Sequence, residues 1–158
     1  MALVDGKSVY LFKKIQLLVL DLHTRFSTSR PDLFSFHDID KLSIFADNVI
    51  PTMLHHLNIL PLTIRSSDTT SRQATILKEL QEDLRTGRET TAERSFIFRA
   101  AAIDACEIIV QIAKDMSDMP RFVKNMTAPE LDAYLWQIAK KGETRDVVRF
   151  CDPNTVFF

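Results

Sequence analysis

The sequence predicts an all-α protein, and three observations carry that expectation. Only three of the 158 residues are glycine, too few for the many tight turns of an all-β fold. Apolar residues recur at helical spacing through several alanine-, leucine- and glutamate-rich stretches. Capping signatures of the Thr-x-x-Glu kind stand ahead of two of them. With 46% apolar residues the chain can bury one core, so a single domain over residues 1–158 with about five helices is expected.

The elements follow in order. Ser8 to about Arg25 reads as a helix, apolar nearly all round between Ile15 and Leu22, and such a helix is buried on most sides. Ser27-Thr28-Ser29-Arg30-Pro31 ends it. A second helix runs from about Ile39 to Leu60 and carries Pro51, whose ring displaces the carbonyl four residues earlier. That carbonyl belongs to Asp47, so a kink or break is expected beside it. Thr63 to Gln73 is a polar loop. Ala74 to Arg85 is helical, with Gly87 as its C-terminal cap. Thr90-Thr91-Ala92-Glu93 caps the long run from Phe96 to Ala113. Thr127-Ala128-Pro129-Glu130 caps Leu131 to Lys140, with proline inside the first turn. Val156-Phe157-Phe158 is too apolar to stand in water and is expected to dock on the core.

A net charge of −1 argues against a surface built to neutralise nucleic-acid phosphates. Cys106 and Cys151 have neither metal nor disulfide spacing and read as free thiols of a reducing compartment. No run approaches the roughly 20 apolar residues that span a bilayer, and no signal peptide precedes Val9. A cytoplasmic protein with no membrane or direct nucleic-acid partner is expected. His55-His56 point different ways on a helix, and His23 and His37 have no ligand spacing, so no metal is expected. Gly-rich phosphate loops and Ser-His-Asp arrangements are missing from the sequence.

Several residues could carry chemistry, each beside a plainer reading. Asp47, in Phe45-Ala46-Asp47-Asn48-Val49-Ile50-Pro51, is a carboxylate among apolar neighbours at a helix break; it is a catalytic candidate or a cap. Asp21, in Leu17-Leu18-Val19-Leu20-Asp21-Leu22, is a second such acid, functional or satisfied by a nearby cation. Arg99, Asp104 and Glu107 interrupt an apolar run; Arg99 and Glu107 are read as sharing a face, as ligand contacts or as a solvated ion network. Asp132 and Trp136 form an i, i+4 pair suited to a planar cationic ligand, or to a core tryptophan with a capping acid. Lys13-Lys14 could meet a phosphate or snorkel into solvent.

Four segments, in this order, resemble the queuosine salvage proteins, the queuosine 5′-phosphate N-glycosylase/hydrolase family. They are Leu11-Phe12-Lys13-Lys14-Ile15-Gln16 leading to Asp21, Ile39 to Asp47 leading to Pro51, Phe98-Arg99-Ala100-Ala101-Ala102 with Glu107, and Leu131-Asp132-Ala133-Tyr134-Leu135-Trp136. The phenylalanine-rich end is similar too. The resemblance covers the family's carboxyl-terminal half, and a DNA-glycosylase-like helical architecture is compatible with it. This chain departs from the common pattern at Asn48 and Val49 after the Phe-Ala-Asp motif, at Thr52 after the proline, and at Gln137 after the Leu-Trp pair.

The resemblance implies hydrolysis of the N-glycosidic bond of queuosine 5′-monophosphate, releasing queuine for reuse in tRNA modification. It implies Asp47 as the catalytic acid residue, with Asp21 as a second carboxylate that positions water or tunes Asp47. Phe45 and Trp136 would stack on the deazaguanine or wall the pocket, Asp132 would bind the amine or cis-diol of the side arm, and Gln137, Arg99 and Glu107 would complete substrate binding. The partner is a small nucleotide, and no cofactor is called for. An incomplete pocket, open on one side with apolar surface exposed, would lead to self-association or to a partner that supplies an amino-terminal half. The alternative function is a catalytically incomplete helical interaction module or regulatory paralogue.

Overall fold

The computed structural model describes residues 1–62 and 72–153, apart from the side chain of Gln73. The expected Thr63–Gln73 loop falls almost wholly, and the docking of Val156-Phe157-Phe158 entirely, outside the described residues. Among the described residues the chain is mainly helical, as expected, with one small hairpin. The helices are α1 (Lys13–Phe26), α2 (Pro31–Phe34), α3 (Val49–His56), α4 (Arg72–Thr86), α5 (Ala92–Asp115), α6 (Arg121–Lys124) and α7 (Ala128–Ile138). α2 and α6 are single turns of four residues each; setting them aside leaves the five longer helices of the sequence reading.

The first helix starts later than Ser8. Strands β1 (Ala2–Val4) and β2 (Lys7–Val9) pair antiparallel, with Ala2 opposite Val9. Asp5 and Gly6, both at positive φ, form the two-residue turn that such a hairpin favours. β1 packs on α5 and buries Ala2.

The core lies between α3, α5 and α7. Ile50 and Leu54 meet Ala102, Cys106 and Val110, with Leu131 and Leu135 closing the third side. α4 joins through Leu80 and Leu84, which pack with Phe98 and Phe150. Leucines buried like these typically cost about 2–5 kcal/mol when cut to alanine. Gly87, at φ +67°, follows α4 as expected: Arg88 N–H reaches back to the Asp83 carbonyl at 3.2 Å, the Schellman closure that favours glycine.

Three local expectations are corrected. Residues 39–60 are not one kinked helix: Ile39–Lys41 form a 3₁₀ turn, residues 42–48 run without helix, and α3 begins at Val49. Pro51 thus occupies the first turn of α3, where its missing N–H is no loss. The α5 cap is Thr91, whose hydroxyl accepts Arg94 N–H at 3.3 Å, while Glu93 turns to Arg72 at 2.6 Å. α1 has no fully buried residue, and Ile15, Leu17 and Leu18 are exposed. All-round apolarity states what a helix is able to bury; among the described residues α1 packs mainly on α2 and against Ser43 and Asp47, and its remaining sides stay open. The α7 capping box forms as read: Glu130 accepts Thr127 N–H at 2.8 Å, and Thr127 accepts Glu130 N–H at 3.4 Å.

Candidate active site

The segment before α3 positions Asp47. Its Oδ1 accepts the N–H groups of Val49 and Ile50 at 2.7 and 3.2 Å, satisfying two donors that the helix start leaves open and placing the anion at the positive end of α3. Asp47 is therefore both a cap and a cavity residue. Its Oδ2 receives Lys13 Nζ at 3.2 Å. The side chain is 8% exposed, and that small opening leads into a cavity of about 430 Å³.

The cavity lies between α1, the Phe45–Asp47 segment and α7. Lys13, Leu17 and Leu20 form one wall; Pro129, Asp132, Trp136 and Gln137 form the opposite one, with Phe45 beside Asp47. Most of the surface is apolar, with a few convergent polar groups, the usual make-up of a small-molecule site. A larger cleft, about 630 Å³, has walls that include His56, Lys78, Glu82 and Arg85. Arg85 there is spent on Glu82 at 2.7 Å in an exposed pair. The smaller cavity is the candidate site because buried carboxylates open into it.

Asp132 is the second of these. Its Oδ2 accepts the Phe45 N–H at 2.9 Å. Burial pushes its carboxyl up to about 6; the Phe45 bond and Lys13 pull down and nearby Asp47 pushes up. Cys106, behind it in α5, is raised to about 12 by burial and then by Asp132.

Asp47 and Asp132 thus form the carboxylate pair, and Asp21 is not part of it. The side chain of Asp21 is 67% exposed and lies 3.5 Å from Arg25, one turn on in α1. α1 turns Lys13, Leu17 and Leu20 towards the cavity and Asp21 towards solvent. The expectation that Asp21 and Asp47 face one cavity is corrected accordingly.

Arg99 is likewise not in the cavity wall. It is fully buried, donates from Nε to the Ala46 carbonyl at 2.8 Å and lies over the Phe96 ring at 5.2 Å. Burial lowers its pKa, while Asp47 and Asp152 hold its charge. Arg99 braces the Asp47 segment from behind. Glu107 is exposed and lines a separate groove with Asp40 and Lys114. Eight helical positions rotate by about 80° beyond two full turns, so Arg99 and Glu107 do not share a face.

Phe45, Trp136 and Gln137 do line the cavity beside Asp132. The Lys140 ammonium sits 3.2 Å from the centre of the Trp136 ring, which covers one face by a cation–π contact. Lys13, which the sequence leaves open between a phosphate contact and a solvated side chain, joins Leu17 and Leu20 in the cavity wall; their spacing at i, i+4 and i+7 is the signal for it. Among the described residues no group of three His, Cys, Asp or Glu side chains is arranged to hold a metal, and no helix is long and apolar enough to cross a membrane.

A sequence model of the family described as "Queuosine salvage protein" matches residues 1–158. The chain belongs to the queuosine salvage protein family. It is 32% identical over 108 residues to a Sphaerobacter thermophilus protein named "Queuosine 5'-phosphate N-glycosylase/hydrolase". That match takes in 65% of this chain and 33% of the relative, so the matched region is about a third of the relative's length.

The positions where this chain departs from the common pattern fall into two groups. Asn48 turns away from the cavity and donates to the Phe150 carbonyl at 3.2 Å. Thr52 bonds the Asn48 carbonyl at 2.7 Å inside α3, and Val49 offers Asp47 only its backbone N–H. Gln137 alone of the four reaches the cavity.

Proposed function

We propose that the protein carrying this chain hydrolyses the N-glycosidic bond of queuosine 5′-monophosphate and releases queuine. The observation that carries this reading is Asp47, a buried carboxylate fixed by backbone donors at the edge of an apolar-walled cavity. Breaking the bond makes the ribose cation-like. A preorganised carboxylate stabilises that charge, or takes the proton of the incoming water. Lys13 is the cationic side chain of the cavity wall and suits the 5′-phosphate; an anion drawn to it would free Asp47 Oδ2. Phe45 and Trp136 wall the flat base, and Gln137 can bond the cis-diol or amine of its side arm. Asp21, Arg99 and Glu107 have no substrate contact in this reading.

The test is direct. The full-length protein is incubated with queuosine 5′-monophosphate, and queuine and ribose 5-phosphate are followed by mass spectrometry. Release of both products supports the reading, and intact substrate after long incubation ends it.

A second reading, a helical interaction module, is favoured by the exposed row of Tyr10, Phe12, Ile15 and Leu18. Contiguous apolar patches beyond a few hundred Å² usually mark interfaces.

A further inference from the structure

Two carboxylates open into one cavity in different surroundings. Both oxygens of Asp47 accept hydrogen bonds, from Val49, Ile50 and Lys13. Three donors thus hold that carboxylate in place beside the cavity. Asp132 accepts a bond at Oδ2, from Phe45; Oδ1 has no hydrogen-bond partner among the described residues and is the oxygen able to carry a proton. Pairs of acids with divergent surroundings commonly divide acid and base work between them.

We propose that Asp132 is the general acid of the reaction, donating a proton from Oδ1 to the departing base while Asp47 faces the sugar. The inference rests on the glycosidase reading above. It also replaces the side-arm contact expected of Asp132.

The chemistry of the base makes such a donor useful. A purine can leave after protonation at N7, but a 7-deazapurine has carbon there. The leaving electron pair at N9 must then be neutralised at N9 itself or through N3. In the proposed step the C1′–N9 bond breaks and its electrons go to the base. The Asp132 proton follows them, and water adds to C1′, losing a proton to Asp47. Asp47 then releases its proton to solvent and Asp132 regains one, so nucleotide and water give queuine and ribose 5-phosphate.

The charges that face Asp132 are Asp47 from the segment before α3 and Lys13 from α1; Cys106 on α5, raised to about 12, stays a neutral thiol. A carboxyl held near 6 by burial is still partly protonated at neutral pH, as a proton donor must be.

The experiment compares two substrates of the full-length protein, queuosine 5′-monophosphate and 4-nitrophenyl ribofuranoside 5-phosphate. Nitrophenolate leaves without help from an acid. Asp132→Asn is expected to lose on the order of 100-fold or more in kcat for the first and less than about threefold for the second, which also shows that the variant folds. The wild-type rate for the nucleotide should fall about tenfold per pH unit on the alkaline side. That limb should vanish in Asp132→Asn and move to higher pH in Lys13→Met, because Lys13 pulls the Asp132 carboxyl down. Equal losses on both substrates, or an alkaline limb that survives in Asp132→Asn, would overturn the assignment. A wild type that cleaves neither substrate overturns the glycosidase reading itself, a result distinct from an active enzyme in which Asp132 does not matter.

Discussion

Asp132 Oδ2 accepts the Phe45 N–H at 2.9 Å across 87 residues of sequence, and that bond fastens α7 to the segment carrying Asp47. The same carboxylate serves the fold and faces the cavity. Its burial therefore links stability to pH as well as shaping the site.

Folded Asp132 holds its proton to about 6, against an ordinary value of 3.8. The folded state binds the extra proton, so this contribution is complete below about 4 and is lost as pH rises through about 6. The difference amounts to roughly 3 kcal/mol between those limits, about two pKa units at 1.36 kcal/mol each. Asp132→Asn should remove that dependence. Denaturant unfolding of wild type and variant at pH 4 and pH 7 checks it: wild type should lose ground to the variant as pH rises. An unchanged difference would mean that Asp132 titrates as it does when unfolded.

The fold class was legible because helices announce themselves locally. The Thr127–Glu130 box and the Gly87 stop depend on neighbours within a few positions, and both form. The cavity was less legible because its members meet through space. Asp47 and Asp21 look alike in sequence, each an acid among leucines, valines or alanines; only packing turns one inward and the other to solvent. Pro51 misled in a similar way. A proline can break a helix or open one, and the backbone donors captured by Asp47 decide for the second. The Asp5-Gly6 hairpin was readable, but Ser8 and Val9 also fit the helical pattern that follows.

Arg99 separates a ligand contact from a brace. Removing a buried cation that satisfies the Ala46 carbonyl and balances Asp47 and Asp152 leaves uncompensated charge in the interior. Arg99→Ala should lose on the order of 3–5 kcal/mol of stability, measured by urea unfolding. The fraction that stays folded should bind substrate with nearly wild-type affinity; a stable variant with weakened binding would return Arg99 to the substrate contacts.

Lys13 should matter more for the nucleotide than for the nucleoside. A charged hydrogen bond contributes about 1.5–3 kcal/mol, so Lys13→Met should weaken binding of the monophosphate roughly 10- to 100-fold. Queuosine without the phosphate should bind the variant about as well as wild type. Titration of both ligands against both proteins gives the four affinities needed, and equal weakening for the two ligands would remove the phosphate contact.

The exposed face of Tyr10, Phe12, Ile15 and Leu18 should make residues 1–158 self-associate when produced alone. Replacing Ile15 and Leu18 together with glutamate should shift sedimentation towards monomer with little loss of helicity, since neither side chain is buried. A wild-type chain that remains monomeric at high concentration would count against an interface there.

Asp47→Asn tests the centre of the functional reading. The amide keeps the shape and can still accept the Val49 and Ile50 N–H groups, so α3 should remain capped and the protein folded. It cannot supply the negative charge that a cation-like ribose requires. Loss of one preorganised contact of this kind costs roughly 3–4 kcal/mol, on the order of 100- to 1,000-fold in rate. Affinity for the monophosphate should change far less, because the sugar's charge develops only in the transition state. Single-turnover release of queuine, run beside a binding titration of the same variant, separates the two. If Asp47→Asn keeps most of its rate, Asp47 is a helix cap that happens to face the cavity, and the stabilising charge must come from elsewhere.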